Sequence, residues 1–141
     1  MTAEFCDTNI IVYAYDQSDQ RKSQLSHTLL DRLWTDRAGV LSIQVLQELY
    51  VTLARRTPGE DSRAIVADLA QAWRVMEPVA EDVIAAIDGS HQWNISFWDA
   101  MIVISAIRAQ SNVLWTEDLQ HGRRYGGVLA LNPFQGSTDF A

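Results

Sequence analysis

Brief apolar runs, too short for helices, recur between much longer stretches of helical periodicity, and this alternation narrows the fold more than any other feature of the sequence. The strand-like runs are Phe5-Cys6-Asp7, Val40-Leu41, Val75 to Val79, Val113-Leu114-Trp115-Thr116 and Val128-Leu129-Ala130-Leu131. Between them, Ile10 to Tyr15 predicts a short helix with Thr8 or Asn9 near its start, where capping is one reading of Asn9. Asp19 or Ser18 caps a second helix over about 21–34, striped by Leu25, Leu29, Leu30 and Leu33. Ser42 is the expected N-cap of a helix reaching about Arg55, with Val45, Leu46, Leu49 and Leu53 on one face and a stop at Pro58-Gly59. Further helices are expected over 62–73, from Glu81-Asp82 onward, and over about 97–109 behind Ser96. Gly39 is read as the end of a connection, Gly122 as a turn, and Asn132-Pro133 as the stop after the final strand. Strands apolar along their length and separated by helices are buried on both faces, the pattern of a parallel sheet covered on each side. The predicted class is α/β, and 141 residues without a repeat, linker or low-complexity tract make one domain, 1–141.

Charge and cysteine content restrict what such a domain does. A net charge of −7 excludes passive nucleic-acid binding through a basic surface. Acids gathered in one pocket alter that conclusion locally, because bound divalent cations reverse the pocket's sign. Ten of the eleven basic residues are arginines, suited to bidentate phosphate contacts but equally common where no phosphate is met. The lone cysteine, Cys6, is read as a small buried residue and can form no internal disulfide, which fits a reducing compartment. The first residues lack the basic flank of a secretory signal. The longest apolar run, Ala100 to Ile104, falls far short of the roughly 20 residues of a membrane span. A soluble, cytoplasmic protein is expected, with no membrane partner.

Ligands of open parallel sheets gather at the carboxyl ends of the strands, and acids fall at those places here. Asp7 closes the first strand, Asp118 lies just past the Val113–Thr116 strand, Asp99 sits in the first turn after Ser96, and Glu48 lies two turns into the helix after Ser42. Carboxylates held together take up protons unless a cation compensates them. Hard oxygen donors select Mg²⁺ or Mn²⁺, and the chemistry that follows is metal-assisted phosphodiester hydrolysis. Thr8 and Thr116 are placed to hydrogen-bond the carboxylates. Each acid alone has a simpler reading: Asp7 and Asp99 as helix-start residues, Glu48 as a solvated edge, Glu117-Asp118 as turn chemistry. Spacing alone therefore leaves a metal nuclease as one of several readings. His91 and His121 lie near two of the acids in sequence, although a carboxylate–metal site needs no histidine base. Trp98 is the best candidate to stack on an exposed RNA base, whereas Trp34 and Trp73 suit a core or an interface. Arg55-Arg56 and Arg123-Arg124 suit phosphates, solvent or a partner equally.

A resemblance separates these readings. Phe5-Cys6-Asp7-Thr8-Asn9-Ile10-Ile11-Val12-Tyr13-Ala14-Tyr15-Asp16 resembles the opening of PIN-domain proteins, a short apolar strand followed by Asp-Thr-Asn and an aliphatic helix. Ser42-Ile43-Gln44-Val45-Leu46-Gln47-Glu48-Leu49-Tyr50 resembles the second block, Ile95-Ser96-Phe97-Trp98-Asp99-Ala100-Met101-Ile102 the third, and Leu114-Trp115-Thr116-Glu117-Asp118-Leu119 the fourth. Leu131-Asn132-Pro133-Phe134 resembles the terminal strand and exit. The blocks occur in family order across almost the whole chain, and are most similar to the toxin half of VapBC-type toxin–antitoxin pairs. The resemblance implies a parallel sheet flanked by helices, Mg²⁺/Mn²⁺-dependent endoribonuclease activity on RNA, and a metal-binding and catalytic role for Asp7, Glu48, Asp99 and Asp118. The family's Thr-x-Asp pattern favours Asp118 over Glu117. It also implies a homodimer and a cognate antitoxin, for which an acidic pocket offers a seat to a cationic side chain. A housekeeping nuclease without an antitoxin, or a metal-binding interaction module without catalysis, are the alternatives.

Overall fold

A strand whose apolar side chains are wholly buried must have neighbours on both edges and cover on both faces, and β1 (Glu4–Cys6), through Phe5 and Cys6, meets each requirement. It pairs in parallel with β2 (Gly39–Ser42) on one side and β4 (Val113–Trp115) on the other. Outward from these lie β3 (Arg74–Met76) beside β2, and β6 (Val128–Leu131) beside β4, both parallel. The computed structural model describes residues 2–135, so the expected domain bounds of 1–141 extend past the described residues at both ends.

The expected parallel sheet is extended at one edge by a short strand that the sequence reading did not include. β5 (Arg124–Tyr125) runs antiparallel to β6 and gives the order β3-β2-β1-β4-β6-β5. The segment read only as a turn through Gly122 is a small hairpin. Gly126-Gly127 reverses the chain, with Gly126 at a φ of 61° that side chains with a Cβ rarely adopt. Tyr125 anchors the hairpin, buried edge-on against Trp93 with ring centroids 5.8 Å apart.

Six helices connect the strands: α1 (Thr8–Tyr15), α2 (Gln20–Thr35), α3 (Ile43–Arg56), α4 (Ser62–Ala72), α5 (Ala80–Trp93) and α6 (Phe97–Arg108). Side-chain caps begin five of them, at Asp7, Asp19, Ser42, Asp61 and Ser96. The expected stripes face inward: Leu29, Leu30 and Leu33 of α2 and Val45, Leu49 and Leu53 of α3 are buried, while Leu25 and Leu46 are half-buried at the stripe edges. The extended run expected over 75–79 pairs only as far as Met76. Beyond it Val79 donates its N–H to Asp82 Oδ2, which starts α5, and Arg108 Nη1 closes on the same oxygen at 2.6 Å. Gly39 is the first residue of β2 rather than the end of a connection.

This order positions the site. With right-handed crossovers, β1 to β2 to β3 step outward in one direction, and the chain returns past β1 to lay down β4 on the other side. The strand order reverses between β1 and β4, where parallel sheets open a crevice at the carboxyl ends. On the far side of β2, Gly39 leaves no room for a side chain: a Cβ there would lie 2.6 Å from the Trp73 ring. Trp73 is 6% exposed and meets Trp34 edge-on, so its retreat is restricted. Gly39→Ala should lower the unfolding free energy in urea by about 1–3 kcal/mol, with the indole emission of Trp73 reporting its displacement.

Candidate functional site

The crevice is a cavity of 650 Å³ whose lining includes all four acids singled out from the sequence, Asp7, Glu48, Asp99 and Asp118. Each arrives from a different element. Asp7 follows β1 and caps α1; Glu48 lies two turns into α3; Asp99 lies in the first turn of α6; and Asp118 follows β4. The simpler reading of Asp7 is thus also true: its Oδ1 accepts the Thr8 N–H at 2.7 Å and begins the helix. A cap uses one carboxylate oxygen and leaves the other. Oδ2 accepts Thr116 Oγ1 at 2.8 Å, and the Asp7 N–H donates to the Trp115 carbonyl, so Asp7 bridges the ends of β1 and β4.

The threonines hold carboxylates, as their placement in the sequence suggested. Thr116 holds Asp7, and Thr8 Oγ1 donates to Glu48 Oε1 at 2.8 Å. Asn9 is not the helix cap that one reading allowed. Its Nδ2 donates to Asp118 Oδ2 at 2.9 Å and its Oδ1 accepts the Glu117 N–H, fixing the loop after β4 against α1. Nothing in the sequence announces that contact, because its partners are more than a hundred residues apart. The adjacent acids of that loop have different surroundings. Glu117 is bound by Lys22, the only lysine in the chain, and by the Tyr13 hydroxyl at 2.8 Å, with the Lys22 ammonium over the Tyr13 and Phe134 rings. Asp118 faces the cavity without a cation.

That contrast extends to the other acids. Glu4 pairs with Arg32, Asp16 with Arg56 and Asp82 with Arg108. Among the described residues, Asp7, Glu48, Asp99 and Asp118 have no basic partner although all line one space, whereas Glu117, the fifth acid of that lining, is held by Lys22. The electrostatics follow. Burial pushes the Asp7 carboxyl up from 3.8 to about 7; hydrogen bonds from Thr116 and the Thr8 N–H oppose the rise, and the negative charges of Asp118 and Glu48 add to it. Asp99 is also raised, first by its partial burial and further by Asp118 and Glu48, against the Ser96 hydroxyl.

Among the described residues, no three His, Cys, Asp or Glu side chains are drawn together tightly enough to hold an ion as they stand. Like charges repel, and Asp7, Glu48 and Asp118 are each turned to a local donor. The donor chemistry nonetheless fits a hard divalent cation. It is all oxygen, anionic, unneutralised by arginine or lysine, and includes a carboxyl that burial keeps partly protonated. His91 and His121 do not line the cavity; His121 Nδ1 instead accepts the Asn132 N–H at 2.9 Å. Trp98 stands at the cavity with 63% of its surface exposed. Arg55 and Arg56 also line it, Arg56 tied to Asp16, whereas Arg123 lies over the Tyr125 ring outside it.

Fold and site define an α/β domain with an acidic crevice where its strand order reverses. The PIN domain family matches residues 5–126, and the chain belongs to that family. Its fold is similar to that of the sarcin–ricin loop cleaving toxin VapC20 from Mycobacterium tuberculosis (21% identity, TM-score 0.65, covering 82% of this chain and 90% of that one). It is also similar to DNA-bound VapBC from Salmonella typhimurium (17%, TM-score 0.66, 92% and 97%). A toxin–antitoxin complex from Klebsiella pneumoniae aligns at 12% identity with a TM-score of 0.70, covering 94% and 99%. No curated protein shows significant sequence similarity to the chain.

The position of Asp7 sets a pH dependence. A carboxyl whose folded pKa is about 7 against an ordinary 3.8 favours the folded state when protonated. The penalty for ionising it is therefore absent below about pH 4, grows between the two values and is complete above about pH 7. With a chelator present, Asp7→Asn should stabilise the chain by roughly 2–4 kcal/mol in urea at about pH 8 and have little effect near pH 4.

Proposed function

We propose that this PIN domain is a divalent-metal-dependent endoribonuclease that hydrolyses RNA phosphodiester bonds, and that it is the toxin of a type II toxin–antitoxin pair. The carrying observation is the set of four carboxylates from four elements that converge on one crevice with no basic partner among the described residues. Asp7, Glu48, Asp99 and Asp118 are assigned as the residues that hold Mg²⁺ or Mn²⁺. The chemistry such an ion supplies when bound is acidification of water and neutralisation of charge on the phosphodiester. The chain's own residues prepare for it. Asp7 would hold the ion as a carboxylate, its proton lost to solvent, while Thr116 fixes its Oδ2. Thr8 holds Glu48, and Asn9 holds Asp118. Glu117, neutralised by Lys22, is assigned to anchoring the loop rather than to the metal.

The toxin role rests on the fold shared with toxins of VapBC and related pairs. A cytoplasmic location follows from that role, and no helix among the described residues is long and apolar enough to cross a membrane. A cognate antitoxin fits the site because a cationic side chain would find four carboxylates there without a counter-charge. A homodimer fits the apolar side chains left exposed on α5, Val83, Ile84 and Ile87, and on α3, Tyr50 and Val51.

Cleavage, growth arrest and mass together test the reading. The purified chain should cleave RNA with Mn²⁺ and not with a chelator. Asp99→Asn should lower the rate at least about a hundredfold while leaving the circular dichroism spectrum unchanged, and should remove growth arrest on expression. RNA left intact by the folded parent would leave a metal-binding interaction module. Cleavage without growth arrest would point to a housekeeping nuclease. Light scattering should report about twice the mass of one chain at tens of micromolar, and a strict monomer would remove the dimer.

A further inference from the structure

Between the acids and open solvent, the crevice has a second lining that hydrolysis does not require. Along α3, Gln44, Gln47, Val51, Thr52 and Arg55 face the cavity on either side of Glu48. Their spacing of three or four residues makes one continuous helical stripe about 16 Å long. Across from its beginning stands Trp98. The two sides are joined where Gln44 Nε2 donates to the Trp98 carbonyl at 3.3 Å.

Trp98 is the largest side chain in the lining of the crevice. It immediately precedes Asp99 on α6, so successive side chains about 100° apart send the carboxylate inward and the indole to the lip. It is backed edge-on by Phe97, with ring centroids 5.0 Å apart at 77°. Phe97 is packed on the satellite core of Ala86, Ala100 and Met101. The indole is thus supported on one side and 63% exposed overall. A large apolar ring held in water beside a polar crevice is a platform for another flat group.

Resting on the ribonuclease reading, we propose that Trp98 is the stacking platform of a nucleobase subsite flanking the scissile phosphate. The Gln44 and Gln47 amides line the edge of the stacked base, and Arg55 receives a phosphate further along α3. A base paired in a helix cannot present its face to a side chain, so the subsite selects single-stranded or looped RNA. Each Gln amide offers both a donor and an acceptor, which suits a base edge more than a phosphate. Arg55 has no carboxylate within ion-pairing reach among the described residues, unlike its neighbour Arg56, which is held by Asp16.

The test uses a labelled single-stranded RNA oligonucleotide and a series in which each position in turn is abasic, cleaved in Mn²⁺ and bound in Ca²⁺. For the parent, one abasic position next to the cut should raise KM and Kd about tenfold with kcat within about threefold. Trp98→Ala should raise both by the same factor for the intact RNA and be indifferent to that abasic position, while Trp98→Phe should recover most of the loss. Equal KM and Kd for parent and Trp98→Ala, with cleavage still dependent on Asp99, would overturn the subsite and leave the nuclease standing. No binding or cleavage of any RNA by the parent would overturn both. A mass halved in light scattering for Trp98→Ala, with RNA affinity unchanged, would reassign the indole to contact between copies of the chain. The abasic series on the parent needs no variant and decides the matter even if Trp98→Ala fails to fold.

Discussion

A carboxylate sealed between two strand ends governs this site. Asp7 follows β1, donates its backbone N–H to the Trp115 carbonyl at the end of β4, and accepts a hydrogen bond from the hydroxyl of Thr116, the next residue. The β1–β4 ladder therefore continues through a side chain at the place where the strand order reverses. With 5% of its surface exposed, Asp7 has little water to stabilise its charge, and Asp118 and Glu48 add to the difficulty. A fold that keeps an acid there retains an unfavourable arrangement, of the kind associated with functional sites.

The placement of cations reinforces this. Basic side chains neutralise acids elsewhere in the molecule: Arg32 closes on Glu4 at the opposite end of β1, Arg108 on Asp82, and Lys22 on Glu117 within the very loop that carries Asp118. Sequence neighbours thus have opposite fates. Tyr13 and Lys22 immobilise Glu117, Asn9 reaches past it to Asp118, and one loop serves both anchorage and the crevice.

Much of this was legible in the sequence because it depends on local periodicity. Ser42 and Ser96 cap their helices where the polar residue before an apolar pattern indicated, and the leucine stripes of α2 and α3 face the core. Three of the four acids could be placed at strand ends or a helix start, with Glu48 two turns into α3; the sheet rule allowed them to meet and a resemblance favoured it, since residues 7 and 118 share no pattern. β5 escaped notice for a different reason. Two paired residues carry no periodicity, and the informative signal was Gly126-Gly127 between Tyr125 and Val128, a hairpin signature. Asn9 was open to a capping reading because short polar residues at helix starts usually have that role. The structure decides for Asp7, itself read as a helix-start residue, which fills that role and leaves Asn9 to the loop after β4.

Cys6 lies one residue before that acid, wholly buried at the centre of the sheet. Burial, together with the negative charges of Asp7 and Glu4, holds its thiol well above the ordinary range. A sulfur so enclosed and so reluctant to ionise is silent toward alkylating reagents while the central strands stay paired. As the only cysteine in the chain, it serves as a built-in chronometer: the pace at which a thiol reagent consumes it reads how often the middle of the sheet comes apart, without any label being introduced.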